Sequence, residues 1–320
     1  MHKIAVPGAP WGIDASPLWG ICWRGNFPSE VPCPSEADWS GCGFASVSHI
    51  AAVAAVQSAA LAYRMPRLCE PSVSADQYIS RMDYYKIVGI EHKEGFTRHP
   101  EGDRFLPLSQ IEEFGANLVA SRLRTTVTSH LPFSDSAVDM VDYAFGEVLD
   151  NVLQHAKAPS PGVACSQYYP NGNFVEVCIA DCGRGIAASM ANNSSYSGMD
   201  ADSLLAKAFD RFTGEYFGVP VYGSPNVSGG MGLWVAANVV RALGGHIWVV
   251  SRGNAVDVSE SGTQCIPGMY YPGTVVTMRF PVTDKAVSGD DVFGNGSCRI
   301  ARWTPDDSWW YEGSDDDVLW

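Results

Sequence analysis

The sequence predicts an α/β protein, a small α/β unit followed by a larger one in which helices pack on a sheet. Three observations predict it. Helix-type and strand-type apolar periodicities alternate along the chain. Ala144–Ala156, AFGEVLDNVLQHA, has the spacing of an amphipathic helix with a broad apolar side that can rest on a sheet. Residues 91–108, polar and punctuated by Gly and Pro, read as a linker between the two parts.

The first part begins with residues 1–43, rich in Pro, Gly and Trp, where Ile21–Trp23 and the stretch near Trp39 suit short strands. An Ala-rich helix is predicted from Ser46 to Tyr63. Arg67–Cys69 suits a strand. Ser74, with Gln77 three residues on, suits the N-cap of a helix reaching Met82. Phe44–Tyr63 is the stretch most like a membrane span. Its His49, Gln57 and serines favour a buried helix of a soluble protein instead.

In the second part Ser109–Arg124 is predicted helical, and Ser134 and Asp135 can cap a helix that runs on through Ala156. Strands are expected at Val163–Tyr169 and Phe174–Ala180, with Asn171-Gly172-Asn173 as the hairpin between them. Residues 187–228 form a long loop rich in Ser, Asn, Gly and Tyr, with a helical island at Asp202–Phe212. A loop of that length inside a compact domain is usually functional. The helix Leu233–Leu243 stops at Gly244–Gly245. The strand His246–Val250, an irregular Gly-containing segment and the strand Gly273–Phe280 complete the unit. From Val282 the tail is acidic, with three consecutive Asp at 315–317, and is expected to be largely disordered.

Composition narrows the function. A formal charge of −14 argues against a nucleic-acid or anionic-membrane binder. The nine cysteines form no C-x-x-C pair, so they are expected as reduced thiols of a cytoplasmic protein. The opening MHKIAVPGAPWG lacks the apolar run of a secretory leader.

Three motifs carry the chemistry. On the predicted helix, Glu147, Asp150, Asn151, Gln154 and His155 fall on one face, opposite Phe145, Val148, Leu149, Val152 and Leu153. This sets a candidate base, an amide oxygen and an imidazole side by side. Asp181-x-Gly183-x-Gly185-Ile186 follows a strand directly. Gly230-x-Gly232-Leu233 opens a helix, whose free amides and dipole suit phosphate. Gly183-x-Gly185-x-x-Ala188 also fits a dinucleotide fingerprint, but no second strand ending in an acid follows, and that reading is set aside.

The order E-x-x-x-N, D-x-G-x-G, long loop, G-x-G-L and strand Gly273–Thr274 resembles the GHKL ATPases, the histidine-kinase-like or Bergerat-fold family, over about residues 109–281. The resemblance implies a two-layer sandwich, a mixed sheet covered by helices. It implies ATP and Mg²⁺ as ligands, with Asn151 on the metal, Glu147 as the catalytic base and Asp181 on the adenine amino group. Gly183, Gly185, Ile186, Gly230, Gly232, Leu233 and Thr274 complete the nucleotide site, with His155 and Arg184 as further candidates. N-V-L-Q-H-A at 151–156 is more similar to the anti-sigma kinase branch than to gyrase, although Gln154 stands where that branch often has Lys. Lys207 and Arg211 join Arg184 as cations that would replace it, and Phe209–Phe212 resembles the aromatic box of kinase lids. Ser109–His130 shows no phosphoacceptor-histidine pattern. Residues before the linker are similar to the STAS domain pattern, in which Ser46 or Ser48 lies nearest the phosphoacceptor position, although both read first as ordinary helix-start serines.

The expected organisation is a small α/β domain at 1–100, an ATP-binding domain at 101–283 and a tail at 284–320. Three functions are expected in turn: a protein serine/threonine kinase switch, an ATPase whose lid closure gates assembly, and a non-catalytic nucleotide sensor. A protein partner or substrate is expected, homodimerisation is compatible, and neither nucleic acid nor membrane is an expected partner. A regulator of this kind suits stress signalling and antiviral defence equally.

Overall fold

A computed structural model describes residues 2–29, 35–70, 73–210, 213, 232–293, 299–300 and 311–312. The first part holds β1 (His2–Ala5), α1 (Leu18–Ile21), β2 (Ser35–Asp38), α2 (Val47–Ala62), β3 (Arg67–Glu70), α3 (Val73–Arg81) and α4 (Tyr84–Val88). β1, β2 and β3 form a parallel sheet in that order, with Ile4 beside Ala37 and Ala37 beside Cys69. Of the strand expected at Ile21–Trp23, Ile21 ends α1, Cys22 caps it and Trp23 makes a single antiparallel bridge to Met269, and the strand near Trp39 stops just before it.

The second part opens with β4 (Phe105–Ile111), α5 (Ala116–Thr128) and α6 (Asp135–His155), then β5 (Gly162–Tyr169) and β6 (Phe174–Asp181). There follow α7 (Ile186–Met190), a 3₁₀ turn at Ser194–Tyr196, α8 (Ala201–Lys207) and α9 (Gly232–Ala242). β7 (His246–Arg252), β8 (Asn254–Ser259), β9 (Gly262–Cys265), β10 (Tyr271–Pro281) and α10 (Gly289–Phe293) come next, and β11 (Arg299–Ile300) pairs with β12 (Tyr311–Glu312).

Seven strands make one sheet in the order β4-β5-β6-β10-β7-β8-β9. Every neighbouring pair is antiparallel. β6 and β7 point the same way, but β10 lies between them. Period-2 alternation sorts the side chains. Val175, Val177, Ile179, Val249 and Met278 face α5, α6 and α9, while Cys165, Cys178, Ala180, Trp248 and Val275 face the other way. Both faces are covered, which is why β6 is buried along its whole length.

The second face is covered by α2. This helix is apolar all round, and Val47 through Ala60 are buried. Such a helix needs neighbours on every side. It lies between β5 and β6 of the large sheet and β2 and β3 of the small one, and its alanines allow both to approach. No helix among the described residues is long and apolar enough to cross a membrane. Polar bonds fasten the layer. Glu176 and Arg279 form a fully buried ion pair at 2.6 Å. Glu176 accepts from the amide and hydroxyl of Ser48 at 3.1 and 2.6 Å, and Arg279 donates to the carbonyls of Gly12 and Ala15.

Further sequence expectations are corrected. The linker at 91–108 ends inside β4, and the helix expected from Ser109 starts at Ala116, because Phe105–Ile111 pairs with β5 as a strand whose register shifts between Leu106 and Ser109. The irregular segment after Val250 contains β8 and β9, two short strands cut by Gly253 and Gly262. Of the tail expected to be largely disordered, residues 282–293 dock, with Val287 and Val292 buried against the α6 and α9 layer, whereas most of 294–320 lies outside the described residues. Ser46 and Ser48 have no exposed surface. Ser46 caps α2 by accepting from the His49 amide, and Ser48 is bonded to Glu176, so neither is placed to accept phosphate.

Candidate functional site

One cleft gathers most of the residues that the motifs single out. It lies between α6, the end of β6, α7 and the start of α9, and with its open mouth it encloses about 890 Å³. Glu147, Asn151, His155, Asp181, Gly185, Ile186, Gly232, Leu233 and Thr274 all line it.

α6 supplies the polar stripe. Ser134 caps the helix by accepting from the Ala137 amide at 3.3 Å. Ala144, Phe145, Val148 and Leu149 are buried against the sheet and α9, which turns Glu147, Asn151 and His155 to the cleft at i, i+4 and i+8. Burial, then the charge of Asp150, pushes the Glu147 carboxyl up to about 7, against the stabilising hydroxyl of Tyr143. Burial also raises Asp150. A carboxyl that changes charge near neutrality suits general-base work. Gly232 at the start of α9 lies against Glu147, where a β-carbon would come within 2.3 Å of the Glu147 Cβ.

Asp181 ends β6 directly opposite Thr274 of β10. It is 5% exposed, and its Oδ1 accepts the Gly183 amide at 2.7 Å. Burial pushes its carboxyl up to about 6, and the Gly183 and Thr274 amides and Arg252 pull it back. The loop that follows is fixed at several points. The Arg184 amide donates to the Ala156 carbonyl at 2.8 Å, and a β-carbon on Gly183 would collide with that same oxygen at 2.1 Å. The Ile186 amide donates to the Ser251 hydroxyl, which also bonds the Thr274 hydroxyl. Arg252 donates to the Gly183 carbonyl at 2.6 Å.

Arg184 does not line the cleft. Its guanidinium donates to the His155 carbonyl and the Ser189 hydroxyl. Lys207 pairs with Asp210 at 3.2 Å, and Phe209 is buried in the core. Gly230, Arg211 and Phe212 lie outside the described residues. Sequence reasoning missed Ser189 and Met190 of α7, the apolar walls Val148, Val152, Ile179 and Val276, and the supporting pair Ser251 and Arg252.

Residues 137–284 match the family model of histidine kinase-, DNA gyrase B- and HSP90-like ATPases. By that match, residues 137–284 are similar to a GHKL-type ATPase domain. The match runs from the first turn of α6 to just past β10 and so contains the whole cleft. No curated protein matches the chain.

The GHKL domain implies ATP and, with it, Mg²⁺. Asn151 offers a neutral amide oxygen at the cleft wall, a donor that suits a hard cation. Among the described residues no group of three or more His, Cys, Asp or Glu side chains could hold a metal alone. A cation here would therefore rest on Asn151, water and the oxygens of the nucleotide.

Proposed function

We propose that this protein is an ATP-dependent regulator whose GHKL domain transfers the γ-phosphoryl group of ATP to a serine or threonine hydroxyl of a protein partner, as in the anti-sigma kinase branch. The observation that carries the reading is the pairing in one cleft of Glu147, held near neutrality, with Asn151 one turn away and the buried acceptor Asp181 at the floor.

Asp181 accepts the adenine amino hydrogen, and Thr274, Ser251 and the Gly183 amide hold that carboxylate in place. The amides at the start of α9 face the phosphates. Asn151 would hold the Mg²⁺, which would supply positive charge against the phosphates. Glu147 as carboxylate takes the proton of the attacking hydroxyl, that hydroxyl's oxygen bonds to the γ-phosphorus as the bond from phosphorus to the bridging oxygen breaks, and ADP leaves with the bridging oxygen. With water in place of the hydroxyl the same steps release inorganic phosphate.

The second reading is that of an ATPase whose lid closure gates assembly. What supports it is the small apolar cluster of Met190, Tyr196, Leu204 and Ala208, which ties α7 to α8 and touches Leu233 at the start of α9. Such a unit can move as one body over bound nucleotide. Incubation with γ-labelled ATP, with and without co-purified proteins, separates the readings. Label on a partner supports the kinase, label in free phosphate supports the ATPase, and ATP bound without turnover leaves a sensor. The STAS-like reading of residues 1–100 has the β2–α2–β3 unit in its favour, and no exposed serine at the position it would need.

A further inference from the structure

Arg252 is the last residue of β7 and the first of a two-residue connection to β8, in which Ser251 pairs with Asn254. Its φ is +56°, in the left-handed region, where glycine or asparagine is the easy choice. The side chain has a definite task. Its stem lies over Gly185, where a β-carbon would come within 2.9 Å of the Arg252 Cγ. Its guanidinium donates to the Gly183 carbonyl at 2.6 Å. The arginine thus spans both glycines of the loop that follows Asp181. Its charge also acts on Asp181 itself, favouring the ionised carboxylate.

We propose that Arg252 is the positioning residue of the base pocket: it clamps the Gly183–Gly185 loop and holds Asp181 as the anion that selects an adenine ring. The inference rests on the reading of Asp181 as the adenine acceptor. Other groups facing Asp181 do not share the task. Cys182 on its own strand end and Tyr271 from β10 are buried, and burial raises both far above neutrality. Thr274 and Ser251 are neutral. Across the cleft stand the ionisable groups Glu147 and His155 of α6, and Arg184 is bonded to the His155 carbonyl and Ser189.

The test is calorimetric titration with Mg·ATP and Mg·GTP from pH 5 to pH 8. Every protein carries Glu147→Gln, so that this carboxylate does not titrate; His155 is common to all and cancels in the comparison. Arg252→Met keeps the stem and removes the charge. It is expected to weaken ATP about tenfold, to narrow the preference for ATP over GTP, and to raise by about half a unit the pH at which ATP affinity falls on acidification. The sign follows from the charge: without the cation Asp181 takes up its proton at higher pH. Arg252→Lys is expected to restore much of the pH profile and selectivity. Arg252→Gln, which keeps a donor but no charge, serves if the Met variant unfolds, and is expected to shift the pH profile and selectivity in the same direction. ATP affinity, selectivity and pH profile like those of the parent in Arg252→Met, or in Arg252→Gln where the Met variant does not fold, would overturn the proposal. An Asp181→Asn control that binds ATP as tightly as the parent would instead remove the adenine reading beneath it.

Discussion

Glu147 and Asp181 hold their protons more tightly in the folded chain than in the unfolded one, because the cleft withdraws both from water. For Glu147 the window runs from its ordinary value of 4.5 to about 7. Within it the folded state binds more protons, so this group's contribution to stability falls as pH rises. Glu147→Gln is therefore expected to raise the melting temperature of the nucleotide-free protein more at pH 8 than at pH 5, in paired thermal scans. The same substitution is expected to leave ATP binding intact and to lower turnover by about a hundredfold or more. In the parent, turnover should climb through a midpoint near 7 as the base ionises. Normal turnover by Glu147→Gln would remove its base role. These two acids and Asn151 were legible in the sequence, because their spacing on one helix and their place at a strand end are local. Ser251 and Arg252 were not. They reach the loop only through the pairing of β7 with β10, which no short motif encodes.

Elements with two-sided periodicity were the easiest to read, and α6, β5, β6 and β10 stand close to their predicted bounds. The missed strands share one cause, interruption by Pro or Gly. Pro107 lies inside β4, and Gly253 and Gly262 bracket β8. α2 was legible as a helix but not as a layer, since a helix apolar all round has no face that points to its neighbour. Its tight fit makes a prediction at this scale. Ala54 is fully buried between the two sheets. Ala54→Leu overfills that space and is expected to cost about 1–3 kcal/mol in urea unfolding. A neutral result would mean that α2 is looser than the packing indicates.

At the scale of the whole molecule, the N-terminal part is a third layer on the ATPase sandwich, and the two share a core that includes Ile50, Val53, Cys178, Trp248 and Tyr271. A fragment starting at residue 101 would bare that face, and is expected to aggregate or bind a hydrophobic dye where the full chain does not. The buried pair makes a sharper case. Glu176→Ala strands the Arg279 charge and is expected to cost about 3–5 kcal/mol, whereas Glu176→Leu with Arg279→Met is expected to cost much less. Equal costs in chemical unfolding would mean that the pair does not act as a unit. The layering leaves the cleft on the opposite face of the sheet as the open working side of the protein. What that side does rests first on whether it takes adenine at Asp181. Calorimetric titration of the full chain and of Asp181→Asn with Mg·ATP tests this most directly. The account predicts saturable binding at one site per chain by the parent and a loss of about tenfold or more in the variant. Equal affinity of the two proteins would contradict it.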